Sequence, residues 1–136
     1  MKNIAKKFST LLCMLALLGC FVSAPCANVM AYTVYDINED EYYFDTTVSA
    51  GGTYKIYVTP YRENSTPEFY IRFTNYDDAL FQVDVFDMDT RNKVFKDTFD
   101  DYRITVRVQD LEEDHEYRIS IRNRSDFSAE ISGRVF

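Results

Sequence analysis

Tryptophan is absent from the 136 residues, histidine occurs once, and the three cysteines (Cys13, Cys20, Cys26) all lie near the start of the chain. Beyond Cys26 there is no thiol, which excludes a disulfide framework, a cysteine-ligated zinc ribbon and thiol catalysis for the rest of the chain. Positive charge is also scarce there. Residues 32–136 carry 12 Lys and Arg against 22 Asp and Glu, a formal charge of −10, so nucleic acid is not an expected partner, since its binding rests on bulk positive charge. Missing too is any capped helical stripe of apolar residues. Aromatic residues are abundant instead: all 11 tyrosines and nine of the 11 phenylalanines fall in residues 32–136. That is enough apolar material for the core of one domain, and it argues against disorder.

The first 31 residues are a different polymer. Lys2, Lys6 and Lys7 precede an apolar run from Leu11 to Val22, followed by Ser23, Ala24 and Pro25, the three-part layout of a secretory signal. The run is too short for a stable helix across about 30 Å of hydrocarbon. Small side chains at Val29-Met30-Ala31 place cleavage after Ala31. The expected organisation is a signal peptide at 1–31, a linker at 32–40 and one domain at 41–136, with no transmembrane segment in the mature part. The alternative is lipid anchoring at Cys20, because Leu17-Leu18-Gly19-Cys20 resembles a lipobox. Phe21 and Val22, which continue the apolar run through Cys20, favour the cleaved leader. An exported domain without cysteine fits bacterial secretion better than eukaryotic secretion.

From Glu41 onward apolar side chains alternate. Tyr42, Phe44, Thr46 and Val48 share one face, as do Tyr54, Ile56 and Val58; Phe69, Ile71 and Phe73; and Phe81, Val83 and Val85. The pattern continues through Tyr102, Ile104, Val106 and Val108, then Tyr117, Ile119 and Ile121, and ends with Phe127, Ala129, Ile131, Gly133 and Val135. A period of two with β-branched and aromatic residues predicts half-buried strands. Lys93–Phe99, with Val94 on one face and Phe95 and Phe99 on the other, is expected as an edge strand. Seven or eight short strands separated by polar turns predict an all-β fold, a single antiparallel two-sheet β-sandwich. Arg103 and Arg107 share the outward face of one strand, and Arg118 and Arg122 that of the next. A hairpin with aligned apolar faces would set Arg107 against Arg118 and Arg103 against Arg122, which is destabilising. The Asp110–His115 connection is therefore expected to cross between sheets, with Leu111 capping the core. The alternative role for these arginines is an anion site.

Two stretches, Val48–Val58 and Val108–Ile121, each end one strand, turn, and open the next on an aromatic residue; Phe81–Phe95 forms a hairpin pattern. These features resemble the jelly-roll domains at the C-terminal ends of secreted bacterial peptidases, the pre-peptidase C-terminal family. The second turn differs, with Glu112-Glu113-Asp114-His115 where that family has glycine. The resemblance implies a jelly-roll or Greek-key sandwich with a non-catalytic accessory or binding role.

His115 is the only candidate base for a Ser-His-Asp hydrolase, and no nucleophile elbow accompanies it; in an acidic turn it reads as a solvated loop residue. Calcium needs several oxygen ligands, and Asp87, Asp89 and Asn92 begin like a calcium loop, although no Gly or distal Glu completes it. Asp77-Asp78 and Asp100-Asp101 are further acidic turns. Tyr57, Tyr61 and Tyr70, with Phe86, lie opposite the core-facing series and form a candidate surface for an extracellular protein or carbohydrate; the competing role is cross-strand packing. Asn64-Ser65-Thr66 and Asn123-Arg124-Ser125 match the N-glycosylation sequon. The expectation is a secreted or cell-surface binding domain without enzymatic activity. The alternatives are a calcium-dependent carbohydrate-binding module and a small secreted hydrolase.

Overall fold

In the computed structural model, which describes residues 32–37, 41–60 and 66–136, each alternating run forms a strand. The strands are β1 (Val34–Asp36), β2 (Tyr42–Val48), β3 (Thr53–Thr59), β4 (Phe69–Asn75), β5 (Phe81–Asp87), β6 (Lys93–Phe99), β7 (Arg103–Val108), β8 (Tyr117–Asn123) and β9 (Ala129–Val135). The expected leader at 1–31 lies outside the described residues. No helix among the described residues is long and apolar enough to cross a membrane.

Two sheets form, in the orders β1-β3-β8-β5-β6 and β2-β9-β4-β7. Leaving β1 aside, two four-stranded sheets in these orders are the jelly-roll arrangement of two Greek keys. Consecutive strands from β2 onward alternate between sheets except at β5–β6, which pair as a hairpin. The expected crossover is present: β7 belongs to one sheet and β8 to the other. Leu111 between them is buried, and its N–H donates to the Pro67 carbonyl. The crossover sets Arg118 between Tyr57 and Phe86 instead of beside Arg107, and Arg122 between Thr53 and Gln82. The like charges are thereby separated onto opposite faces of the molecule.

Three details depart from the sequence expectation. Nine strands lie among the described residues, and the extra one, β1, lies in the segment expected as linker. It runs parallel to the free edge of β3, with Val34 opposite Tyr57 and Asp36 opposite Thr59. Its strand character comes from that waiting edge, which no local pattern announces. Phe127 and Tyr102, assigned to core-facing series, are exposed; β9 begins at Ala129 and β7 at Arg103.

The core is the inward half of the alternation. Phe69, Phe73, Phe81, Tyr117 and the isoleucines of β3, β4, β8 and β9 have almost no exposed surface. Phe73 meets Phe81 edge-on at 5.8 Å, and Phe69 meets Tyr117 at 6.2 Å, a preferred arrangement for aromatic quadrupoles. Each such side chain contributes about 2–3 kcal/mol by burial. β6 is an edge, as expected, with Val94 exposed at a register irregularity opposite Val85 and Phe86.

Candidate functional site

The turn after β5 is shaped by Asp87. Its Oδ1 accepts the N–H groups of Asp89 (2.9 Å) and Thr90 (3.0 Å), and its Oδ2 lies 2.9 Å from His115 Nδ1. Asp89 Oδ2 accepts the Glu116 N–H at 2.9 Å, and the Met88 N–H donates to the Glu116 carbonyl. The β5–β6 turn is thus fastened to the end of the β7–β8 crossover. Of the three residues named for calcium, the structure brings together Asp87 and Asp89. Asn92 offers its main-chain carbonyl to the Asp87 N–H (2.8 Å), and the residue is exposed. The third member of the group is His115, with one potential ligand atom from each of the three within 4.8 Å of the others. One imidazole nitrogen beside two carboxylates suits a transition-metal ion better than calcium, which prefers oxygen.

The same cluster is a charge pair. The Asp87 hydrogen bond, reinforced by the charges of Asp87, Asp89 and Glu112, raises the His115 pKa against the opposing effect of burial. For Asp87, burial works upward, but the Thr90 and Asp89 amides and His115 outweigh it and hold the carboxyl below its usual range. The raised histidine contributes stability that is complete below about pH 6.5 and is lost as pH rises through its folded pKa. The depressed aspartate contributes stability present above about pH 4 and lost as pH falls through its folded pKa. Melting temperature should therefore fall from pH 6 to pH 8.5 in the wild type and fall less in His115→Ala. Parallel curves across that range would remove the ion pair from the account.

The tyrosines are not brought into one row. Tyr57 faces outward from β3 and stacks at 3.9 Å on Tyr32. Tyr70 faces outward from β4, on the other sheet, and stacks at 5.5 Å on Phe136 with the Arg107 guanidinium 5.5 Å from its ring. Tyr61 lies outside the described residues. Phe86 carries the Arg118 guanidinium at 5.0 Å. Tyr57, Tyr70 and Phe86 therefore have intramolecular packing partners, and Tyr57 and Tyr70 occupy opposite faces of the sandwich. Alternation separates inside from outside but does not say which sheet a strand joins.

The sequon Asn123-Arg124-Ser125 is also spent internally. Asn123 is buried, and its Nδ2 donates to the carbonyls of Val48 (3.0 Å) and Phe127 (2.7 Å). The other sequon begins at residue 64, outside the described residues.

The outward face of the four-stranded sheet carries a feature not singled out in the sequence. Across it, Thr105, Arg72, Arg134 and Tyr43 stand in register in one row, and Arg103, Thr74, Ser132 and Asp45 in the next. Between these rows is an open concavity of about 510 Å³, floored by the backbone at Phe73 and Gly133 and lined by Arg72, Arg103, Arg134 and Tyr43 with three hydroxyl residues. Arg134 is paired with Glu41 at 2.7 Å and lies 4.4 Å from the Phe136 ring. Arg72 lies 5.3 Å from the same ring. Tyr43, largely exposed, donates its hydroxyl to Glu41. The sequence signal was present in outward arginines on three strands, but only strand order shows that Arg103 belongs with Arg72 and Arg134 rather than with Arg118 and Arg122.

No protein-family model matches the sequence, and no curated protein matches it. Among solved structures, the chain superposes on the Yersinia pseudotuberculosis-derived mitogen with a TM-score of 0.55 at 12% identity, over 71% of this chain and 84% of that one. It superposes on the pre-peptidase C-terminal domain of a collagenase from Bacillus anthracis with a TM-score of 0.58 at 10% identity, over 80% of this chain and all of that one. At these identities the likeness is one of fold, and the fold is the β-sandwich of pre-peptidase C-terminal domains that the strand-turn-aromatic pattern resembles.

Proposed function

We propose that this protein is an exported, non-catalytic accessory domain that captures an extracellular ligand on the outward face of its four-stranded sheet. The concavity between Arg72, Arg103 and Arg134 carries this reading, because it combines a sheet-backbone floor with polar side chains that converge on open solvent. Support comes also from the fold, shared with a domain that accompanies a collagenase. His115, the single histidine, is engaged by Asp87 in fastening a turn, which is a structural use. The leader-like segment at 1–31 supports export.

A second reading, cation-dependent carbohydrate binding, rests on the Asp87, Asp89 and His115 cluster. One experiment addresses both: binding of the protein to arrays of glycans and extracellular-matrix proteins, with and without chelator. Ser132→Trp, which fills the concavity, should abolish capture. Lys55→Trp, on the outward face of the five-stranded sheet, should leave it intact. The reverse pattern would move the binding face to the other sheet, and loss of capture with chelator alone would favour the cation-dependent reading.

A further inference from the structure

The four-stranded sheet sets like charges directly against one another. Arg72 on β4 is the register partner of Arg134 on β9, and Arg103 on β7 is one diagonal step from Arg72, since their direct partners are Thr74 and Thr105. Cβ atoms of directly opposed residues are about 5 Å apart and such like-charge pairs destabilise a sheet. The same opposition is avoided between β7 and β8 by the crossover.

An acidic chain has ample means to neutralise these arginines, and it does so for some of them. Arg107 is paired with Glu68 at 2.7 Å and Arg134 with Glu41. Among the described residues, neither Arg72 nor Arg103 has a carboxylate within ion-pair distance. Asp45, the carboxylate that completes the Arg103 row, sits on the outer strand β2 beyond Ser132 and does not line the concavity. Arg72 and Arg134 instead share the Phe136 ring, a cation–π contact that positions guanidinium groups without consuming their hydrogen-bond donors.

The rest of the lining narrows the occupant. Thr74, Thr105 and Ser132 present hydroxyls, and the Tyr43 ring stands exposed at the edge. Hydroxyl groups beside an exposed aromatic ring match a sugar, with its own hydroxyls and apolar ring face. No aliphatic pocket is present in the lining for a peptide side chain to fill.

We infer that this concavity binds an acidic polysaccharide, taking a carboxylate or sulfate group between Arg72 and Arg103 while the hydroxyl residues and Tyr43 contact the sugar. The inference rests on the proposed binding face and adds the ligand class. Arg72 and Arg103 supply planar, multidentate donors suited to an oxyanion. The surrounding negative charge of the protein opposes long-range attraction, so recognition depends on this local contact.

The test is calorimetric titration of the protein with oligogalacturonate, its neutral methyl ester, a heparin-derived oligosaccharide and poly-L-glutamate. Oligogalacturonate or the sulfated oligosaccharide should bind, and which of them binds distinguishes carboxylate from sulfate. The methyl ester should bind at least tenfold more weakly than the free acid. Arg72→Gln and Arg103→Gln should each weaken binding about tenfold or more, while Arg107→Gln, outside the concavity, should change it less than twofold. Melting temperature should hold or rise in Arg72→Gln, because a like-charge opposition is relieved; a fall together with lost binding would make Arg72 structural and overturn the inference. Equal binding of acid and ester, with loss only in Ser132→Trp, would overturn the oxyanion but leave the face. Acidic-oligosaccharide binding untouched by Ser132→Trp would overturn both. Preference for poly-L-glutamate, or binding of none of the four probes, would overturn the polysaccharide as occupant.

Discussion

Gly133→Val is expected to remove about 4 kcal/mol of folding stability, a large share of what a domain of this size holds. Strands β4 and β9 approach so closely at this point that a Cβ on residue 133 would lie 2.2 Å from the Arg72 carbonyl oxygen and 2.5 Å from the Phe73 Cβ. These are not the ends of flexible side chains. One is main chain and the other is fixed to it, so relief requires moving β4 or β9 bodily. Glycine in a strand is normally a weakness, and close backbone approach is the condition under which it becomes a requirement. The same closeness makes the floor of the concavity. Chemical denaturation should show the midpoint falling with an unchanged slope, while Ser132→Val, one residue away and facing outward, should stay within about 1 kcal/mol of wild type. A Gly133→Val midpoint as close to wild type would refute the close approach.

The second large effect is expected at Asn123, where replacement by alanine should cost about 3 kcal/mol. This side chain is wholly buried at the end of β8 and serves three main-chain groups. Nδ2 donates to the Val48 and Phe127 carbonyls, and Oδ1 accepts the Ser125 N–H at 2.9 Å. The residue's own N–H donates to Gly52. One amide therefore joins the β2–β3 turn to the β8–β9 connection across the end of the sandwich. Alanine leaves buried polar groups without partners, which costs more than the bonds themselves contribute. Asn123→Asp should be worse still, since a carboxylate would face two carbonyl oxygens. Thermal denaturation of both variants checks this, and an aspartate variant as stable as wild type would contradict the hydrogen-bond assignment. Asn75 does similar work at the end of β4, where Nδ2 donates to the Ala79 carbonyl and Oδ1 accepts the Ala79 N–H.

How far each feature could be read from the chain depended on the range of the interaction behind it. Phe81, Val83 and Val85 identify a strand because the pleat sends alternate side chains to opposite faces, and that rule needs no knowledge of neighbours. The β7–β8 crossover was legible for a related reason: Arg103, Arg107, Arg118 and Arg122 rule out one pairing by repulsion, and excluding a hairpin leaves a change of sheet. The β5–β6 hairpin and the β6 edge were likewise local. Strand β1 was not, because three residues carry no period and only the edge of β3 makes Val34–Asp36 extended.

Sites followed the same division. Asp87, Asp89 and Asn92 were grouped because they are near in sequence, yet the imidazole that completes the cluster comes from His115, 28 residues away. Tyr57 and Tyr70 looked alike as outward aromatics, and the crossover after β3 sends them to opposite faces. By itself the sequence determined the inward and outward faces of β2 to β9 and the two-layer architecture, both of which follow from hydrophobic periodicity and local composition. Tertiary structure alone decided which outward residues meet, including Arg72 with Arg134 and Gly133 against Phe73, because the partners of a strand are chosen by hydrogen-bonded edges from distant parts of the chain, and periodicity is silent on their order.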